Sequence, residues 1–263
     1  MKIPGVKTLR LAVSWLASRY KGGALILGYH RVATAERDPY RLCVRPQYFE
    51  EQLAVLKRVA QPLSLAELYC ALGDNRLPRR AVALTFDDGY ADFLHEALPL
   101  LNSYQIPATV FVVSGCLGGS FWWEEGPGQW TNYGGTQDDN RRALTVGELQ
   151  ELASEPLIDI GAHTVSHPSL ATLSVGEQRM EIEESKARLE ELVGRPVRGF
   201  SYPHGSASKR TRELVRQSRF DYACSTVTDV TRSANDPFNL PRFWPGDWNS
   251  ERFERWLKRW LRD

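Results

Sequence analysis

The 263-residue chain has no apolar run approaching the ~18 residues of a membrane-spanning helix. Its four cysteines, Cys43, Cys70, Cys116 and Cys224, are far apart, with no C-x-x-C pair and no zinc-finger spacing. That excludes a disulfide scaffold and reads as buried, reduced thiols in a reducing compartment. Neither sign of charge is in excess: 33 basic against 32 acidic residues leave +1, which argues against a dedicated nucleic-acid binder. A G-x-S-x-G elbow is missing, as are the glycine motifs of dinucleotide and nucleotide sites, so serine acyl transfer and nucleotide chemistry find no support. Repeats and low-complexity linkers are also absent. With 42% hydrophobic and 25% charged residues, the composition is that of one soluble globular domain of ordinary size.

One local deficit survives the averaging. The first 35 residues contain no acid, while Lys2, Lys7, Arg10, Arg19, Lys21 and Arg31 are basic. The apolar stretch 11–17 is short, interrupted by Ser14 and followed by no A-x-A cleavage site. Val6, Leu9, Val13, Leu16 and Tyr20 fall instead at helical spacing, giving a basic amphipathic segment over 1–22. These features predict a cytoplasmic protein, at a membrane face if the segment engages lipid; a secreted form stays open.

What is present alternates. Short apolar runs at 24–29, 81–86, 108–113, 157–162, 197–202 and 222–226 read as strands covered on both faces. Between them, helical patterns occupy 46–60, 64–72, 90–103, 145–154, 174–193 and 208–218. Thr145 with Glu148 and Ser174 with Glu177 have capping-box spacing, and Gly194 followed by Pro196 stops the longest helix. This rhythm predicts an α/β fold of βα units. Two segments depart from it. Residues 115–135 hold seven glycines and three tryptophans, Trp122 and Trp123 among them, and form either a structural flap or an aromatic wall for a sugar. Residues 250–263 place Phe253, Trp256, Leu257, Trp260 and Leu261 on one stripe among basic residues, a helix that docks on its own domain or on a membrane surface.

Chemistry gathers at strand ends. Thr85-Phe86-Asp87-Asp88-Gly89-Tyr90 closes the second apolar run. Two adjacent carboxylates are costly to bury unless paired, and a turn at Gly89 lets both reach one pocket. The alternative is a simple Asp-Asp-Gly turn. His163-Thr-Val-Ser-His167-Pro168 follows another run, and Pro168 disfavours helix at His167. Two of the five histidines thus lie at a strand terminus, where a barrel gathers its active site. Asp88, His163 and His167 then offer one oxygen and two nitrogen ligands, which leaves coordination open as catalytic sites do. A divalent ion there lowers the pKa of a bound water and polarises a carbonyl, with Asp87 beside it as general base. In Phe200-Ser-Tyr-Pro-His-Gly205, Tyr202 and Pro203 read as a pocket wall, and His204 as either a proton donor or a solvent-facing loop residue. His30 shares the same face as a catalytic or a hydrogen-bonding residue. His95 reads as structural or exposed, and Asp247 as a turn residue.

Taken together, these motifs resemble the polysaccharide deacetylase family, the NodB homology domain of carbohydrate esterase family four. The likeness extends from about Leu25 to Phe243, since Tyr29-His-Arg-Val32 and Phe121-Trp-Trp also look like a branch of it. It implies a single-domain distorted (β/α) barrel of about seven strands over 23–249. It also implies zinc, or cobalt, nickel or manganese, on Asp88, His163 and His167, with Asp87 as base. The implied reaction removes N-acetyl groups from an amino-sugar polysaccharide, oligosaccharide or glycolipid, with Trp122, Trp123, Tyr202 and Pro203 against the sugar. Two departures stand out. Ser201 occupies the region where the family places an arginine that steadies the base, with Arg198 three residues earlier. No histidine follows His204 to act as general acid, which leaves His30 or His204 as candidates. The alternative is a degenerate, metal-containing carbohydrate-binding protein, although retention of Asp87 opposes it. A two-histidine-one-carboxylate iron oxygenase would be expected on a different strand pattern.

Overall fold

The computed structural model describes residues 23–35, 38–121, 123 and 141–261. The basic segment 1–22, Trp122 and residues 124–140 of the glycine-tryptophan loop lie outside the described residues, as do the last two residues of the C-terminal segment.

The predicted apolar runs form the sheet. In chain order the strands are β1 Leu25–Tyr29, β2 Arg31–Val32, β3 Cys43–Val44, β4 Gln61–Pro62, β5 Ala81–Phe86, β6 Ala108–Val112, β7 Ile158–Ala162, β8 Gly199–Ser201 and β9 Tyr222–Cys224. Seven of them make one parallel sheet in the order β1-β5-β6-β7-β8-β9, with β4 paired to the start of β5. β2 and β3 form a separate parallel pair. Every residue of β1, β5 and β6 is buried, because side chains on one face fill the interior and those on the other pack under helices. The sheet curls into a half-barrel whose two edges are joined by an irregular stretch. Leu240 donates to Ala223 O beside β9, while Phe243 donates to Ile26 O and accepts from Gly28 N–H in β1. This is the expected distorted barrel of about seven strands.

Around it lie α1 Pro46–Val59, α2 Leu65–Gly73, α3 Leu98–Tyr104, α4 Val146–Ser154, α5 Val175–Val193, α6 Lys209–Gln217 and α7 Ser250–Trp260. Both expected capping boxes are formed, and Gly194 closes α5 in the left-handed region at φ 68°. The helix read over 90–103 divides. Pro99 has no N–H to give His95 O, and Leu98 N–H bonds Phe93 O instead, so Phe93–Ala97 is a π turn ahead of α3. α7 buries Phe253 and Leu257 against α1, and Trp256 and Trp260 pack on Phe243, so the stripe faces its own domain. Among the described residues no helix is long and apolar enough to cross a membrane. The thiols depart from expectation: only Cys224 is buried, Cys43 and Cys116 are half-buried, and Cys70 is exposed.

The start of α4 carries a testable charge. Glu148 closes the Thr145 box and accepts two hydrogen bonds from Arg142, both 2.7 Å. Those bonds, helped by Thr145 and opposed by partial burial, bring its carboxyl down to about 2. The folded pKa lies below the ordinary value of about 4.3, so the stabilisation is complete above that value and fades as pH falls toward about 2. Glu148→Gln is therefore expected to lower the melting temperature by a few degrees at neutral pH. The gap to wild type closes on acidification; a gap independent of pH would remove the charge from the account.

Candidate active site at the strand ends

Asp87 and Asp88 leave the C-terminal end of β5, and His163 leaves β7 two strands away. Asp87 N–H donates to Tyr29 O at the end of β1 (2.9 Å), which fixes the start of the turn. Asp88 and Gly89 both adopt left-handed backbone, φ 77° and 81°, so the turn doubles back and brings the second carboxylate into the barrel mouth. For Asp88 that conformation carries a penalty of about 1–2 kcal/mol. Residues Thr164 and His167 are also left-handed, φ 70° and 61°. Strain gathered on the two motifs is what a site held for its geometry shows.

The three expected donors converge. His163 Nε2 and His167 Nε2 each lie 3.4 Å from Asp88 Oδ1, and all three residues are buried. His163 Nδ1 is 2.7 Å from Ser201 O. A carbonyl can only accept, so Nδ1 carries the proton and Nε2 presents its lone pair. Burial lowers His167 to about 3 and keeps it neutral, the form that binds metal. His167 Nδ1 is buried without a hydrogen-bond partner among the described residues. The ring is held by packing, between Trp123 at 4.2 Å and the edge of His204 at 4.6 Å. Glu181 of α5 fixes the intervening loop. It accepts the Val165 and Ser166 N–H groups at 2.8 and 2.9 Å and the Ser166 hydroxyl at 2.6 Å. One carboxylate oxygen and two imidazole nitrogens, with donor atoms all within 4.8 Å of one another, fit a divalent ion.

Asp87 is held differently. Arg242, fully buried on the closing stretch, grips both its oxygens at 2.7 Å and also donates to Ser201 Oγ (2.9 Å) and Thr85 Oγ1 (3.1 Å). Burial alone would raise the Asp87 pKa; the guanidinium outweighs it and holds the carboxyl well below its usual range. Arg242 itself lies 4.6 Å over the Trp244 ring, and Trp244 stacks on His30 at 5.2 Å. Gly28 admits this stack, since a Cβ there would fall 2.6 Å from the indole. His30 is half-buried and follows Tyr29, whose carbonyl accepts the Asp87 N–H.

The other candidates are distributed as follows. Trp123 reaches the site, anchored by its Nε1 donating to Tyr90 Oη at 3.2 Å. His204 is exposed in a left-handed turn. Tyr202 is a core residue rather than a pocket wall: it is 1% exposed, its hydroxyl donates to Phe238 O, and its N–H is committed to Cys224 O. Pro203 is buried next to it. Arg198 does not reach Asp87 but pairs with Asp221 at the surface. Asp247 binds Arg45 rather than a catalytic group, and His95 is half-exposed, 3.6 Å from Glu148. The sequence reading missed Arg242, Trp244 and Glu181. The available signal for the first was a cation set among Leu240, Pro241, Phe243 and Trp244, a position that demands a buried partner.

Comparison with known proteins agrees with this geometry. The family model described as "Polysaccharide deacetylase" matches residues 74–223, a segment containing Asp87, Asp88, His163 and His167. The chain belongs to the polysaccharide deacetylase family. It is 26% identical to the poly-β-1,6-N-acetyl-D-glucosamine N-deacetylase of Staphylococcus aureus, over 92% of this chain and 84% of that one. Among solved structures it is similar to the Streptococcus pyogenes deacetylase PplD in complex with acetate, with 26% identity and a TM-score of 0.74 over 89% of this chain and 97% of that one. The fold is also that of IcaB from Ammonifex degensii: 24% identity, TM-score 0.73, 91% of this chain and 97% of the other. His30, Arg242 and Trp244 lie outside the matched segment.

Proposed function

We propose that this family member is a metal-dependent N-deacetylase that hydrolyses acetamide groups on the amino sugars of a polysaccharide, oligosaccharide or glycolipid. The observation that carries the reading is the placement of Asp87: a buried carboxylate, kept ionised by Arg242, directly adjoining Asp88, His163 and His167. The N-acetylglucosamine polymer named for the Staphylococcus aureus relative supports the substrate class.

Asp88, His163 and His167 would hold the ion, zinc being the best match to a two-nitrogen, one-oxygen donor set. When bound, such an ion acidifies water and polarises a carbonyl. Asp87 takes the proton of the attacking water. Arg242 keeps that carboxylate ionised despite its burial and fixes its direction, so it stands ready to accept a proton. As the C–N bond breaks, the departing nitrogen needs a proton. His30 delivers it, being next in the chain to Tyr29, which holds the Asp87 backbone, and braced on Trp244, whereas exposed His204 meets the site through an edge contact with His167. Trp123 walls the opposite side.

Acetate release from N-acetylglucosamine oligomers and glycolipids tests the reading, with enzyme stripped of metal and resupplied with zinc, cobalt, nickel or manganese. Release that depends on metal and drops by about 10²–10⁴ in Asp87→Asn is expected. Metal binding without release from any of these substrates would favour a carbohydrate-binding protein instead.

A further inference from the structure

We infer that the cavity lined by His30 and Trp244 is a subsite for a second saccharide unit, adjoining the unit that loses its acetyl group. The inference rests on the deacetylase reading. The cavity has a volume of about 170 Å³ and is lined by Gly28, His30, Tyr40, Arg41, Leu42 and Trp244, among others. Pockets that enclose a whole ligand run to roughly 300–1,000 Å³. This one is sized for a single ring of a longer molecule whose reacting part lies elsewhere.

Its position says where. Trp244 lines the cavity and also lies 4.6 Å from the Arg242 guanidinium that grips Asp87. His30, stacked on Trp244, lines the cavity, and so does Tyr29, whose carbonyl accepts the Asp87 N–H at 2.9 Å. A ring in this cavity therefore sits beside the Asp87–Arg242 pair, with the proposed proton donor in its wall.

The lining has the chemistry of sugar recognition. Tyr40 is 65% exposed, one of three large apolar side chains so exposed among the described residues, and the other two, Val175 and Met180, lie on α5. An exposed phenol near a half-buried indole offers apolar faces for the C–H side of a pyranose. Arg41 makes no side-chain hydrogen bond or ion pair among the described residues, so its five N–H donors are available to hydroxyl or acetamide oxygens. The turn that presents both residues is built in: the Asp38 carboxylate accepts the Leu42 and Cys43 N–H groups, both at 2.9 Å, and Asp38 O accepts that of Arg41.

The test compares KM and kcat of metal-loaded enzyme on a small aryl acetate and on N-acetylglucosamine oligomers of one to six units. Tyr40→Ala and Arg41→Asn are measured beside wild type; asparagine tolerates the left-handed backbone at position 41, φ 56°. Wild-type KM is expected to fall as the oligomer grows beyond one unit. Each substitution raises KM for the longer oligomers by about tenfold, the scale of one lost stacking or hydrogen-bonding contact, and KM for the aryl acetate far less. No gain with chain length in wild type, or a gain that survives both substitutions, overturns the subsite. Failure of the underlying reading looks different: acetate is then released from no substrate, aryl acetate included, in a metal-dependent way, and the subsite falls with it.

Discussion

Replacing Arg242 with methionine is expected to lower kcat/KM by about a hundredfold, the scale of a misplaced catalytic group, and the melting temperature by about 10 °C. The thermal figure follows from burial. Arg242 is fully buried and the Asp87 side chain 5% exposed, so removing one partner strands the other charge in the interior. Such a loss amounts to roughly 3–5 kcal/mol, at a few degrees per kcal/mol for a chain of this size. Asp87→Asn should destabilise by a similar mechanism, leaving the guanidinium unpaired. The double variant separates structure from chemistry: with both charges gone, stability returns most of the way to wild type while activity stays as low as in Asp87→Asn alone. Two single-variant losses that simply add would show that the pair is not a unit. Arg242→Lys keeps the charge but loses the two-pronged grip, and should fall between.

The second large effect concerns the loop between the two histidines. His163→Ala should abolish binding of a divalent ion and with it turnover. Glu181→Gln, in a residue that touches neither ligand, should weaken metal affinity by about 10–100-fold, the usual scale for groups that orient ligands. The reason is local. Thr164 and His167 both hold left-handed backbone, and between them Val165 and Ser166 direct their N–H groups at one carboxylate, 7% exposed. Glutamine keeps one accepting oxygen, so either the two N–H bonds to Oε2 or the hydroxyl bond to Oε1 is lost. The negative charge that strengthens all three goes with it, freeing the loop to relax. Competition with a chromogenic chelator measures the affinity directly. Saturating metal should restore turnover to Glu181→Gln and not to His163→Ala; unchanged affinity in Glu181→Gln would mean that the loop keeps its shape unaided.

Residues that advertise themselves locally were legible before any coordinates. Asp87-Asp88-Gly89 and His163 to His167 are short motifs at the ends of apolar runs, and a parallel barrel brings all such ends to one face. Capping residues were equally plain, because Thr145 and Ser174 act across three positions. Arg242 was not, since its meaning depends on a carboxylate 155 residues away. Its stretch joins two sheet edges through a few hydrogen bonds and shows neither period 2 nor period 3.6. Arg198, nearest in sequence to the expected position, was the natural candidate, but it extends into solvent beside Asp221. Tyr202 illustrates the opposite error. An aromatic next to a proline at a strand end looks like a pocket wall, yet the strand's inward side turns the ring into the core, where Phe238 O receives its hydroxyl.

The closing stretch has one more implication. The proposed metal donors and the proposed base all lie between residues 87 and 167, at the ends of β5 and β7, which both pair with β6. The guanidinium that aims the base, and the indole that braces His30, arrive only with residues 240–244. On the proposed reading, the groups that would hold an ion and the groups that would aim a proton thus come from different parts of the same polypeptide. A version without residues 240–244 would lose the aim of the base and the brace of His30 together, and would leave the Asp87 charge buried without its partner.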